Sequence, residues 1–408
     1  MKYAWLLAIL FVLSGISVQA QDKKAFELVD GDRVVFLGSA LIEREQTYGY
    51  LETLLATRYA DKNITFRNLG WAGDSVWCWA RIGNPASARD GFKTLTAHIA
   101  ELKPTIVFVC YGMSESFEGE SGLPGFLKQY ETVLDMLVQN GARLVMLTPN
   151  RHENLGAPLP DPAEHNKNLQ LYNAELKKIA DKRGVPFVDL FESLGDGTQS
   201  PAKTAFTENG IHLTAYGYWR FGFAVEQGLA LPARTWRVEL AAGGAPKAQG
   251  AKVADAQISK TGGTFKVTDA SLAAPLPPAG APKGIAASAG AERILQIAGL
   301  DSGNFALKID GVPVATASAA DWAKGVVITK GPDFEQLEKV RQLMLEKNTL
   351  YFHRWRPQNQ TYIFGFRKKE QGRNAVEIPQ FDPLIAEKEA AMSKLRQPVT
   401  RTYTIEKN

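Results

Sequence analysis

Along the first 230 residues the apolar positions alternate between two regimes. Short β-branched and aromatic runs at 33–37, 64–69, 105–110, 143–147 and 186–190 have the make-up of buried strands. The stretches between them carry apolar residues at helical spacing. Tyr50, Leu51, Leu54, Leu55 and Tyr59 mark a helix over 46–60, and Phe92, Leu95, His98, Ile99 and Leu102 mark one over 90–102. Helices follow over 123–140 (closed by Gly141), 162–183 (stopped by Gly184) and 215–229. Strand and helix alternate five times, which predicts an α/β fold over residues 25–232: a five-stranded parallel sheet with flanking helices.

The pattern changes near residue 241. Residues 233–292 are rich in Ala, Gly, Pro and Lys and read mainly as a loose linker with isolated β patches such as 263–267. From 293 the alternation of short strands returns, with an Asp310-Gly311 hairpin turn between 305–309 and 312–315. A charged helix is expected over 334–348 and another over 383–395. The aromatic run 350–366, with Arg354 and Arg356 inside it, fits a β-hairpin packing a small core better than a sugar-stacking surface. Residues 293–408 are therefore expected to form a smaller β-rich and helical region.

Composition adds an address and removes some partners. Residues 1–20 have one Lys, an apolar core and a Val18-Gln19-Ala20 ending, the pattern of a cleaved signal peptide. The apolar run 4–13 is too short to span a bilayer and no later segment is apolar enough, so an exported, periplasmic or secreted protein without stable membrane insertion is expected. A net charge of +4 over 408 residues, with no basic block, argues against nucleic acid as a partner. Cys78 and Cys110 are placed at ends of segments reaching one sheet edge; a disulfide and two separate thiols are both compatible with that. No Cys/His metal spacing occurs, so neither metal nor cofactor is expected.

Candidate chemistry gathers after the strands. Gly38-Ser39-Ala40 follows the first, Asn68-Leu69-Gly70-Trp71-Ala72-Gly73-Asp74-Ser75 the second, and Gly112-Met113-Ser114-Glu115 the third. Asn209-Gly210-Ile211-His212 precedes the last helix. In this order the blocks resemble those of the SGNH (GDSL-type) hydrolases. That family uses a Ser nucleophile, an oxyanion hole from a Gly amide and an Asn side chain, and a His base oriented by an Asp. The resemblance puts Ala40 at the nucleophile position and Ser39 at the preceding Asp. It implies Gly73 and His212 as retained, with Ser114 in place of the Asn and Asn209 in place of the orienting Asp. Ser39 as a displaced nucleophile ranks below a turn serine, and Glu208 is a candidate to support the imidazole from its other side.

Further segments, among them Tyr48-Gly49-Tyr50-Leu51-Glu52 and Trp355-Arg356-Pro357-Gln358-Asn359, resemble a divergent exported, planctomycete-like bacterial subgroup associated with carbohydrate breakdown. Trp71, Trp77 and Trp79 are candidates to stack on a sugar. Glu115 and Glu43 are acidic groups near the edge; Glu115 is a candidate substrate contact, and a cap or ion-pair role is the plainer alternative. The pair His152-Glu153, in the loop after the fourth strand, is a candidate to reach the same cleft, with an exposed loop pair the favoured reading.

Two readings follow. One is an ester hydrolase acting on O-acetyl groups of carbohydrate or on small esters, with His212 activating water directly. The other is a non-catalytic pseudoenzyme that binds a carbohydrate or another small molecule.

Overall fold

The computed structural model describes residues 26–81, 88–200, 203–370 and 372–408. The expected signal peptide, residues 1–20, lies outside the described residues. No helix among them is long and apolar enough to cross a membrane.

The first part of the chain runs β1 (Arg33–Gly38), α1 (Ala40–Tyr48), α2 (Tyr50–Arg58), β2 (Thr65–Asn68), α3 (Ala88–Leu102), β3 (Ile106–Cys110), α4 (Gly119–Gln139) and β4 (Arg143–Leu147). It continues through α5 (Ala163–Arg183), β5 (Phe187–Val188), α6 (Leu190–Leu194) and α7 (Ala215–Gly228). The five strands form one parallel sheet in the order β2-β1-β3-β4-β5. Both faces are buried, as the continuous apolar runs require: Val34 and Phe36 enter one core, Val35 and Leu37 the other. Strand order reverses between β1 and β3, and in open parallel sheets ligands bind at the carboxyl ends beside such a switch. The predicted five-stranded parallel sheet is thus observed.

Several local expectations change or are decided. The helix expected over 46–60 starts at Ala40, directly after Ser39, and is broken at Gly49. There φ is +66°, and an added Cβ would lie 2.9 Å from Leu345 Cδ2. Cys78 and Cys110 are free and sink into different cores, Cys78 with Val107 and Val109, Cys110 with Ile106 and Phe108. No disulfide joins them, because alternate residues of β3 face opposite sides of the sheet.

The linker expected over 233–292 is largely strand: β6 (Trp236–Ala241), β7 (Lys247–Gln249), β8 (Ala251–Ser259) and β9 (Gly262–Asp269), followed by the short α8 (Ile285–Ser288). β8 is an edge strand built from small and charged residues, so its composition resembles that of a linker. Then come β10 (Arg293–Ala298), β11 (Asn304–Ile309), β12 (Val312–Ser318), α9 (Ala319–Lys324) and β13 (Val326–Val327). The chain ends with α10 (Pro332–Trp355), α11 (Gln360–Ile363), α12 (Phe381–Leu395) and β14 (Arg401–Lys407). Two sheets, β13-β10-β6-β7 and β12-β11-β14-β9-β8, share one core of Trp236, Val238, Leu295, Phe305, Tyr403 and neighbours. This sandwich takes its strands from both sides of the boundary expected at 292, and β14 closes it from the far end of the chain.

Between β13 and β14 the chain returns to the first sheet. The aromatic run expected as a hairpin continues α10 instead, with Tyr351 and Trp355 four residues apart on its buried face. A buried ion pair, Lys347 Nζ with Glu52 Oε1, and an Arg67–Glu389 pair at 2.5 Å fasten α10 and α12 beside β2.

Candidate functional site

The carboxyl edge at the β1/β3 switch is tightly built. An added Cβ on Gly38 would lie 2.4 Å from Cys110 O, and one on Gly70 would lie 2.2 Å from Glu43 N. Trp71 N donates to Gly38 O at 3.0 Å, and Asn68 ties the same corner by donating to Ile42 O at 2.7 Å. Ser39 caps α1 by position only: its side chain makes no capping bond, and the residue is buried. Ala40 follows as the first, half-buried residue of α1. Gly73 turns with φ +76°, and nothing lies within 4 Å of where its Cβ would be.

Glu115 is a staple between two of these loops. It is 3% exposed, and its oxygens accept from Val76 N at 2.8 Å and Gly112 N at 3.0 Å. Burial pushes its carboxyl up to about 6 against the pull of those donors. The expected substrate contact is therefore a buried group that positions the Gly73 and Gly112 loops. Ser114, beside it, is exposed and its side chain makes no capping bond.

His212 is held by Asn209, and the arrangement decides its protonation. Asn209 Oδ1 accepts from Ile211 N at 3.2 Å and His212 N at 2.9 Å. Backbone N–H groups only donate, so the atom they share is the amide oxygen. The remaining amide atom, Nδ2, lies 3.2 Å from His212 Nδ1 and is a donor. Nδ1 must then accept, which leaves the ring proton on Nε2. An aspartate at this position would accept from Nδ1–H and leave Nε2 with its lone pair, the tautomer a general base needs. Burial, then the Arg44 cation, hold His212 below its usual value, with Glu208 opposing. Glu208 is not bonded to the ring; it pairs with Arg44 at 2.6 Å. Arg44 escaped the sequence reading, although it stands one helical turn after Ala40 on the same face of α1.

The loop after β4 packs against this turn. Asn150 Nδ2 donates to Ile211 O at 3.3 Å, and Glu153 N donates to Gly210 O at 2.8 Å. The exposed pair expected at 152–153 is in fact buried, at 4% and 3% exposure. Glu153 is a clamp: it accepts from Gly197 N, Phe206 N, Thr207 N and Thr207 Oγ1 at 2.6–3.0 Å. Asn166 fixes the His152 backbone through two bonds, at 3.0 and 2.9 Å. The His152 ring lies 4.5 Å from that of His165, which stacks on Phe117 at 3.7 Å.

On the other side, Trp71 is covered from α10. Arg356 lies 3.8 Å from its ring centroid and pairs with Glu43 at 2.9 Å, while Trp355 meets it edge-on at 5.5 Å. Glu43 also accepts from Ala72 N. Trp71 therefore gives a face to the returning helix, whereas Trp77 stacks on Trp79 at 5.1 Å and Trp79 is 52% exposed. Beneath them a fully buried Asp74–Arg81 pair at 2.7 Å, joined by Tyr111 Oη at 2.9 Å, stiffens the loop.

Residues 37–220 match the model of the GDSL-like Lipase/Acylhydrolase family. BT4096, a gut microbial diltiazem-metabolizing enzyme, has the same fold across nearly the whole chain. Its TM-score is 0.71 at 18% identity, covering 94% of this chain and 99% of that one. Axe2, an acetylxylan esterase from Geobacillus stearothermophilus, covers 51% of this chain and 98% of its own, with TM-score 0.41 and 16% identity. No curated protein matches the chain. The blocks at the sheet edge, the strand order and the family-model match together make residues 37–220, the α/β domain, similar to the GDSL-like lipase/acylhydrolases, the SGNH family.

Proposed function

We propose that this chain is an exported, carbohydrate-directed member of the SGNH hydrolases that holds its ligand in the family's cleft without forming an acyl-enzyme. The supporting observation is the Asn209–His212 pairing, which leaves a proton on Nε2. A ring in that state donates a hydrogen bond and takes no proton from a hydroxyl or water. Ala40, where the resemblance puts the nucleophile, offers no oxygen to attack an ester. Turning the Asn209 amide over to free Nε2 would set its NH2 group against two backbone N–H donors, which is unfavourable in a half-buried turn. Export rests on the signal-like residues 1–20, and the carbohydrate ligand on the subgroup resemblance and the exposed Trp79 face.

The alternative, hydrolysis of O-acetyl or small esters, is separated by one assay. Wild type is tested on p-nitrophenyl acetate and acetylated xylo-oligosaccharides, with fluorophosphonate labelling in parallel. No labelling and no saturable turnover are expected. Saturable hydrolysis that disappears in His212→Ala would overturn the proposal.

A further inference from the structure

We propose that Phe117, His165 and His152 form a sugar-ring subsite beside His212, in which Phe117 stacks on a pyranose face and His152 bonds a ring hydroxyl; this rests on the carbohydrate reading above. Phe117 lies two residues after the third block and is 63% exposed. One face of its ring is taken by the His165 imidazole, at 3.7 Å and 18° between planes. The opposite face is therefore turned outward on a rigid backing. His165 is itself anchored, its Nε2 lying 3.4 Å from Ser116 Oγ.

His152 is the second and independent observation. Its side chain is enclosed, yet Nε2 has no partner among the described residues, and neither has Nδ1 of His165 nor Oδ1 of the buried Asn150. Leaving such groups unpaired costs on the order of 1–3 kcal/mol each, so these enclosed atoms call for a polar partner. The backbone contacts of Asn150 and Glu153 with the 210–211 turn place this wall next to His212.

The chemistry of the wall selects the ligand. Burial holds His152 at about 4, with His165 and His212 adding to the depression, and His165 is lowered by the same cause. Both imidazoles are neutral near pH 7 and each offers a donor and an acceptor. The neighbouring charges are already matched: Arg44 with Glu208 at 2.6 Å, and Arg151 with Glu192 at 3.4 Å. An uncharged ligand with one apolar face and several hydroxyls fits this wall, and a neutral pyranose has that form. Among the described residues each nearby guanidinium already faces a carboxylate, so an anion would have to compete with Glu208 or Glu192, and a purely apolar acyl chain would leave the three polar atoms unpaired.

The test is calorimetric titration of the purified wild-type chain with cellohexaose, xylohexaose, mannohexaose and chitohexaose, none of which carries an ester to hydrolyse. At least one is expected to bind. Phe117→Ala and His152→Ala are each expected to weaken it by about tenfold or more, with Phe117→Trp retaining binding and Phe117→Leu losing it. Phe117 is exposed, so its variants keep the fold, which thermal melts check. Binding that survives in both alanine variants overturns the subsite while leaving the carbohydrate reading intact. Absence of binding by wild type to all four sugars overturns the carbohydrate reading and the subsite with it. Binding of the apolar ester analogue hexyl acetone in place of the sugars would assign the wall to an acyl chain and also overturn the proposal.

Discussion

Replacing Asn209 by Asp should reverse the tautomer of His212. Oδ1 stays occupied by the backbone N–H groups of Ile211 and His212, and the second oxygen then stands where Nδ2 now lies, 3.2 Å from Nδ1. It can only accept, so the ring proton moves to Nδ1 and the Nε2 lone pair faces the cleft. An opposite charge this near raises a histidine by about 1–3 pKa units, or roughly 1.4–4 kcal/mol favouring the charged ring. The present ring is lowered by burial and by Arg44, so the variant should titrate clearly above wild type. The added stabilisation would be present at acid pH and fade as pH rises through the new value. Nitrogen-15 NMR of labelled histidine reads both effects, with Nε2–H expected in wild type and Nδ1–H in Asn209→Asp.

The same change should matter for chemistry once a nucleophile is supplied. A wrong imidazole tautomer costs about four orders of magnitude in kcat in serine hydrolases. Ala40→Ser alone should therefore hydrolyse p-nitrophenyl acetate barely above background. Ala40→Ser with Asn209→Asp should exceed it by up to about 10⁴, and both variants should stay about 10²–10³ below a site with a full oxyanion hole, because both keep Ser114. Nδ1–H in the wild-type spectrum, or a double variant no faster than Ala40→Ser, would refute the reasoning.

Three further outcomes are expected. Glu115 titrates at about 6, above its ordinary 4.5, so wild type should gain about 2 kcal/mol relative to Glu115→Gln as pH falls from 7 to 4.5, measured by urea unfolding at each pH. A difference that is flat across that range would contradict it. Lys347→Met leaves the buried Glu52 carboxyl without its cation and should cost about 3–5 kcal/mol, most of it recovered in Lys347→Met/Glu52→Gln; a single variant as stable as wild type would show that α10 is held by packing alone. Finally, burial pushes the Cys78 thiol up to about 12 and Cys110 higher still, so Ellman's reagent at pH 8 should find no thiol in the native protein and two in guanidinium. Rapid native labelling would place at least one of them at the surface.

The sequence by itself determined the elements whose cause is local. Five apolar runs separated by helical periods specify the parallel sheet, and the resemblance to the SGNH blocks sets Ala40, Ser114 and Asn209 against that family's Ser, Asn and Asp. What it could not carry were relations set by distant partners. Composition made β8 resemble a linker, because a strand at a sheet edge, paired only with β9, needs few apolar residues, and β9 is itself completed by β14, more than a hundred residues later. The run 350–366 alternates locally, but the sheet core against which Tyr351 and Trp355 pack favours helix. Glu153 looks like a surface carboxylate until four donors from 197–207 close around it. Only the tertiary structure decided the state of His212, since Asn209 can present either end of its amide and two backbone N–H groups choose which. The residue types are a property of the chain; which atom of each faces the cleft depends on hydrogen-bond partners that folding brings together.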